Sequence, residues 1–190
     1  MDDIVKAALA KWPNVPACYD WLALDARGNW FMRDDRIQAQ GRFPDVKGSR
    51  IEHEKLLEFI GRNYGADESG AWFFQNGPQR VYVALEAAPW VWRIAGTEAV
   101  DAGASPVGDG TGPVITSHTG VVADYRSGWV DELGRLFLAT DRGFGIVHTL
   151  DMEAASAAVE AGLWSIEEAP FASFAERFGY VLAPAKPTTT

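Results

Sequence analysis

The sequence predicts an α+β protein of two small domains, built from a duplicated motif of β-meander or hairpin plus helix. Two observations lead there. The pattern Asp-x-x-Gly followed by an apolar run occurs three times, as Asp25-Ala-Arg-Gly28-Asn-Trp30-Phe-Met32, Asp67-Glu-Ser-Gly70-Ala-Trp72-Phe-Phe74 and Asp131-Glu-Leu-Gly134-Arg-Leu136-Phe-Leu138. Asp favours the first position of a type I turn and Gly tolerates the left-handed residue that closes it, so each copy reads as a hairpin corner. The second observation is a change of character over residues 96–113, which hold Gly103, Pro106, Gly108, Gly110, Gly112 and Pro113 and few large apolar side chains. This stretch reads as a connecting loop between an N-terminal α+β domain, residues 1–95, and a β-rich C-terminal domain with terminal helices, residues 114–183. Residues 184–190 read as a mobile tail.

Each element follows from local pattern. A helix is expected over residues 3–11, capped by Asp2 or Asp3, with Pro13 beyond its end. The first hairpin joins residues 19–24 and 29–33. Ser49-Arg-Ile-Glu52 matches a capping box and predicts a second helix, with His53, Leu56, Leu57 and Ile60 on one apolar face and Tyr64-Gly65 at its end. That placement makes His53 a buried packing residue. Residues 72–75 lead through Asn76-Gly77-Pro78 into residues 80–86, and Pro89 precedes a strand over residues 90–94. Alternation puts Val81, Val83 and Leu85 on one face and Arg80, Tyr82, Ala84 and Glu86 on the other. Neighbouring strands are apolar on both faces, so the sheet needs cover on both. The helix over residues 51–62 is one expected cover and the second half of the chain the other.

Beyond the connecting loop, strands are expected at residues 114–118, 120–124, 128–130, 135–140 and 145–149. Asp151 caps an Ala-rich helix that ends near Gly162. Pro170 opens another helix with Phe171, Phe174 and Phe178 at helical spacing, Gly179 closes it, and residues 180–182 add a last strand.

Composition narrows the function classes. The 190 residues are 47% hydrophobic and 23% charged with eight Trp, which is the profile of a folded chain. The acidic opening Met1-Asp-Asp and the lack of a long apolar run predict neither signal peptide nor membrane span. The single Cys18 excludes an internal disulfide and fits a reducing compartment, so a cytoplasmic, bacterial-style protein is expected. The net charge is −9, with −1 in residues 1–95 and −8 in residues 96–190. An acidic chain without a basic stripe argues against duplex nucleic acid, whereas a small anion would meet the arginines of the first half.

The middle of the chain resembles a proteobacterial family known as domain of unknown function 1285. The resemblance runs from about Trp30 through Val91, and more faintly to Asp151. It rests on Ile51-x-His53-x-x-Leu56-Leu57-x-Phe59, the corner from Asp67 to Gly70, Trp72-Phe73-Phe74, Arg80-Val81-x-Val83-x-Leu85-Glu86 and Pro89-Trp90-Val91. Ala87-Ala88 follows Glu86 where that family usually has Asp, and Gln75-Asn76-Gly77-Pro78 differs from its usual turn, which places this chain in a sister family. The resemblance implies an α+β protein made by domain duplication, with a barrel-like second half superficially similar to the pleckstrin-homology fold. It also implies a site in the interdomain groove, a nucleotide-like ligand and a signalling role.

The chemistry-bearing residues point to binding rather than to a reaction. The glycines of Gly108-Asp-Gly110-Thr-Gly112 precede a strand and lack the Gly-Lys-Ser/Thr of a phosphate loop, so they read as linker. None of His53, His118 and His148 has a second His or Cys within five residues, so no metal and no cofactor is expected. No nucleophile elbow is present. Arg80, near the Trp-rich strands, suits a planar base by stacking or a phosphate by a bidentate bond; its alternative is an ion pair with Glu86. The expected site takes Gln75, Asn76, Arg80, Trp90 and Trp92 from the first half and His118, Arg142 and His148 from the second, around a small anionic or aromatic ligand. Two other readings stay open: a protein-interaction module using exposed Trp or a free sheet edge, and a hydrolase-like enzyme using His118 or His148 with a carboxylate. The sequence leaves the oligomeric state open.

Overall fold

The computed structural model describes residues 1–96 and 112–186. It is α+β and divides into two compact units, Met1–Ala87 with Gly179–Thr190, and Ala88–Phe178.

In the first unit, α1 (Asp3–Lys11) precedes a six-stranded sheet. Strands β1 (Cys18–Leu24), β2 (Trp30–Met32) and β3 (Ser49–Arg50) run outward from the sheet centre as an antiparallel meander, with α2 (Asp35–Gln40) between β2 and β3. Helix α3 (Glu54–Arg62) carries the chain to the opposite edge. There β4 (Tyr64–Ala66), β5 (Trp72–Asn76) and β6 (Gln79–Leu85) run inward until β6 lies parallel to β1. The expected alternation holds. Phe74 and Val81 share the α3 face, where Phe59 meets Phe74 edge-on at 5.4 Å, while Phe73 packs with Tyr82 on the other.

The second unit repeats that strand order. Strands β7 (Trp90–Ala95), β8 (Val114–Ser117) and β9 (Val122–Ala123) run outward, and β10 (Tyr125–Val130), β11 (Leu136–Thr140) and β12 (Gly143–Val147) run inward until β12 lies parallel to β7. Here the crossing between edges is one residue, Asp124, so the sheet curls into a half-barrel. Helix α4 (Met152–Glu160) covers a core of Trp92, Ile94, Ile115, Leu138 and Trp164. Strand β13 (Ile166–Glu168) extends the edge beside β10. Helix α5 (Phe174–Phe178) packs on the other face, with Phe174 and Phe178 against Phe144 at 5.1 and 3.9 Å.

All three Asp-x-x-Gly stretches are corners with the same bonding. The Oδ1 of Asp25, Asp67 and Asp131 accepts the amide two residues on at 2.9, 2.9 and 3.0 Å and the amide four residues on at 2.9, 3.1 and 2.8 Å. Gly28, Gly70 and Gly134 close them at φ of 80°, 80° and 72°, the left-handed conformation that Gly takes without strain. Ser117-His-Thr-Gly120 forms a fourth such corner, its Oγ accepting from Thr119 and Val121 at 3.2 and 3.0 Å.

Several expectations are corrected. Strand β7, placed at the end of the first domain, opens the second sheet because its backbone pairs with β8 and β12. The division therefore falls at Ala87 and Ala88, and the chain from Gly179 returns to the first unit, where Val181 bridges Ala71 and Leu85 donates to Leu182 at 2.7 Å. Ser49 and Arg50 pair with β2 instead of opening a helix, and His53 caps α3, its Nδ1 accepting from Leu56 at 3.3 Å. His53 is thus exposed, not packed. Three further short elements, α2, β4 and β13, are absent from the sequence expectation, which makes Tyr64-Gly65 the end of a helix. Within the connecting-loop and tail expectations, residues 97–111 and 187–190, with Gly108 and Gly110 among them, lie outside the described residues.

Candidate functional site

The β5–β6 hairpin positions three of the expected site residues in the first unit. Its turn is tight, with Gly77 at φ 57°. Register pairs Gln75 with Arg80 and Asn76 with Gln79, so Asn76 lies on the α3 face and Gln75 and Arg80 on the opposite one. Gln75 is wholly buried, donating from Nε2 to the Gly77 carbonyl at 3.0 Å. Arg80 is exposed, with its guanidinium 4.5 Å from the centre of the Phe73 ring.

Glu86 does not pair with Arg80. Lys47 takes it at 2.9 Å and reaches Asp25 Oδ2 at 3.2 Å. Burial works to raise the Asp25 pKa, but bonds from Asn29, Arg27 and Lys47 outweigh it and hold the carboxyl below its ordinary value. Arg80 makes no ion pair among the described residues. It borders a cavity of about 550 Å³ between α1, residues 13–17 and β6, with Lys6, Leu9, Pro13, Val15 and Tyr82 among the walls and no carboxylate. Tyr82 stacks on Tyr19 at 4.6 Å and donates its hydroxyl to Asp67 Oδ2 at 2.8 Å. Burial and the Asp67 bond raise the Tyr82 pKa against the lowering influence of Arg80, so the phenol stays a neutral donor.

The other five expected residues lie in the second unit, Trp90 and Trp92 included. Trp90 stacks on Trp92 at 5.7 Å and tilts against His118 at 5.9 Å. Their indole Nε1 groups donate to the carbonyls of Arg142 and Leu138 at 3.1 and 3.2 Å. His118 prolongs the pairing of β7: its amide donates to the Val91 carbonyl at 2.8 Å, and its Nδ1 accepts from the Val91 amide at 3.2 Å. Burial pushes its pKa down to about 3, so the ring is neutral at pH 7. His148 Nδ1 accepts from the Leu150 amide at 3.1 Å, capping a 3-10 turn at Thr149–Asp151. Arg142 is exposed, with Asp141 at 3.2 Å. This unit therefore gathers Trp90, Trp92, His118 and Arg142 at one end of β7, with both indole Nε1 groups and His118 Nδ1 engaged by backbone.

Sequence reasoning named Arg80 and placed Tyr82 on its strand face, but missed Lys6 and Val15 around it. No spacing rule links residue 6 to residue 80, which only the packing of α1 brings to one cavity. Among the described residues, no group of three or more His, Cys, Asp or Glu side chains could hold a metal ion, and no helix is long and apolar enough to cross a membrane.

The chain belongs to a family described as "Protein of unknown function (DUF2946)", whose model matches residues 1–185. No curated protein matches it. Similar solved structures include a DUF1285 family protein from Shewanella baltica, 12% identical over 73% of this chain and 91% of that one, with a TM-score of 0.47. Another is a DUF1285 family protein from Silicibacter pomeroyi, 14% identical over 82% of this chain and 83% of that one, with a TM-score of 0.44. The expected likeness to DUF1285 proteins is thus found, and the family whose model matches this chain is a different one of unknown function.

Proposed function

We propose that the protein binds a small aromatic anion in the cavity bordered by Arg80, without chemical conversion of it. The observation that supports this reading is a guanidinium with no ion pair among the described residues, beside Lys6, on a cavity of about 550 Å³ whose walls hold no carboxylate. In a chain of net charge −9 such a cationic hollow is an exception. Arg80 supplies a charge-assisted bond and Leu9, Pro13 and Val15 an apolar wall for a ring, while Lys6, paired with Asp3 at 3.0 Å, adds a partly neutralised cation. The volume falls in the range of ligand pockets. Binding without turnover suits a ligand-responsive signalling module, and the lone Cys18 suits a reducing, cytoplasmic setting.

Native mass spectrometry of freshly purified protein, followed by titration with anilinonaphthalene sulfonate as an aromatic anion, tests the reading. A co-purified anion, or saturable fluorescence that weakens about tenfold or more in Arg80→Ala, is the expected outcome. An apo mass together with equal probe binding by wild type and variant rejects it.

A further inference from the structure

A second arginine poses a different question. Arg33, just beyond β2, is only 2% exposed, and it is among the largest fully buried side chains. Its Nε donates to the Val46 carbonyl at 3.1 Å and its Nη2 to the Gly41 carbonyl at 2.6 Å. These carbonyls hold the segment after α2 in place, and the Arg33 carbonyl in turn accepts from Gln38 Nε2 at 2.8 Å. A guanidinium has five N–H donors, so these two bonds leave three without a protein acceptor among the described residues. No carboxylate pairs with it among those residues. Carbonyl dipoles orient a buried cation but do not neutralise it, and an uncompensated buried charge is among the costliest features a fold can keep.

Arg33 lines a cavity of about 340 Å³ that also takes in Asp20, Arg42, Phe43, Ala84 and Pro184. Arg42 is exposed and likewise makes no ion pair among the described residues. Asp20 sits in the β1 bulge at φ 64°, a left-handed conformation uncommon for a residue with a side chain, and neither arginine pairs with it. Two cations and one carboxylate leave the walls net positive.

We propose that this cavity is a phosphate site, distinct from the Arg80 cavity and independent of the function proposed for it. Guanidinium forks match tetrahedral oxyanions bidentately. Arg33 supplies a buried fork and Arg42 an exposed one, while the Asp20 carboxylate repels the anion and limits its affinity. Phe43 and Pro184 line the cavity beside the charges and suit the organic part of a phosphate ester.

The test is titration of the full chain with inorganic phosphate, and separately with glycerol phosphate, at constant ionic strength, read by NMR at the Arg33 Nε–H and the amides of residues 41–46. Saturable shifts at those signals are expected. Arg42→Ala should weaken binding about tenfold or more, Asp20→Asn should tighten it, and Arg80→Ala should leave it unchanged. Tighter binding of glycerol phosphate supports an ester as the ligand, and equal binding supports free phosphate. Shifts that drift linearly, that persist unchanged in Arg42→Ala, or that disappear in Arg80→Ala overturn the site. Because Asp20 and Arg42 are exposed, both variants leave the buried Arg33 clasp intact.

Discussion

The two units share one strand order and differ in how the chain crosses between sheet edges. In the first, α3 makes the crossing and lies over one face, while α1 and α2 bring side chains to cavities on the other. In the second, the single residue Asp124 makes it, and the edges are drawn together around a core that Trp92 and α4 fill. The linker, rather than the strands, decides whether the sheet stays open. Charge follows the same division. The first unit turns Lys6, Arg33, Arg42 and Arg80 toward cavities, whereas a cavity of the second is bordered by Asp131, Glu132 and Glu168. Both cavities proposed for an anion therefore lie in the first.

The largest expected effect breaks the curled sheet alone. A methyl group at Gly145 would stand 2.6 Å from the Trp90 carbonyl oxygen and 2.7 Å from its Cβ, across the parallel pair of β12 and β7. Gly145→Ala should cost about 3 kcal/mol in urea unfolding. Gly65→Ala on β4 meets nothing within 4 Å and should leave the midpoint unchanged. Equal effects would mean the central pairing is looser in the second unit than its geometry states.

Next come equivalent corners. Asp131 is buried and also binds Arg135 at 2.7 Å, whereas Asp67 is half-buried. Asp131→Ala should cost about 2–3 kcal/mol and Asp67→Ala about 1–2 kcal/mol, measured by thermal unfolding.

Acidity should then separate the units. Burial lowers the folded His118 pKa from 6.5 to about 3, so the unfolded chain takes the proton first. Its stabilisation is complete above pH 6.5 and falls by up to ~1.4 kcal/mol per pH unit as pH drops toward 3. Asp25 and Asp67 have folded pKa values below 3.8, held there by hydrogen bonds despite burial, so their stabilisation declines only below about that pH. Between those limits the second unit alone should weaken, and His118→Asn, which keeps an acceptor for the Val91 amide, should flatten the profile. A profile that is unchanged in the variant would remove His118 as the cause. Smallest of all, Arg80→Ala should alter stability by less than about 1 kcal/mol, since the exposed guanidinium gives up only its contacts with Phe73 and Tyr82.

The corners were legible because their bonds lie within five residues of one Asp. The fourth escaped because Ser117 stands where the others have Asp, although Gly120 three residues on was a usable signal. The capping box at Ser49 misled because pairing with Phe31 and Met32 claims Ser49 and Arg50 first, leaving His53 to cap α3. Arg80 was found from its turn and strand face, but its freedom from Glu86 depended on Lys47, 39 residues away from that carboxylate. Arg33 gave no signal at all, since burial of an arginine depends on which carbonyls fold over it.

By itself, then, the sequence determined the hairpin corners, the strand faces and the α+β class, because turn hydrogen bonds and period-two alternation are local. Only the tertiary structure decided that β7 joins the second sheet, that Asp124 alone crosses between its edges, and which arginines remain without a carboxylate. Those outcomes depend on pairings and charges separated by tens of residues, where no local pattern distinguishes one partner from another.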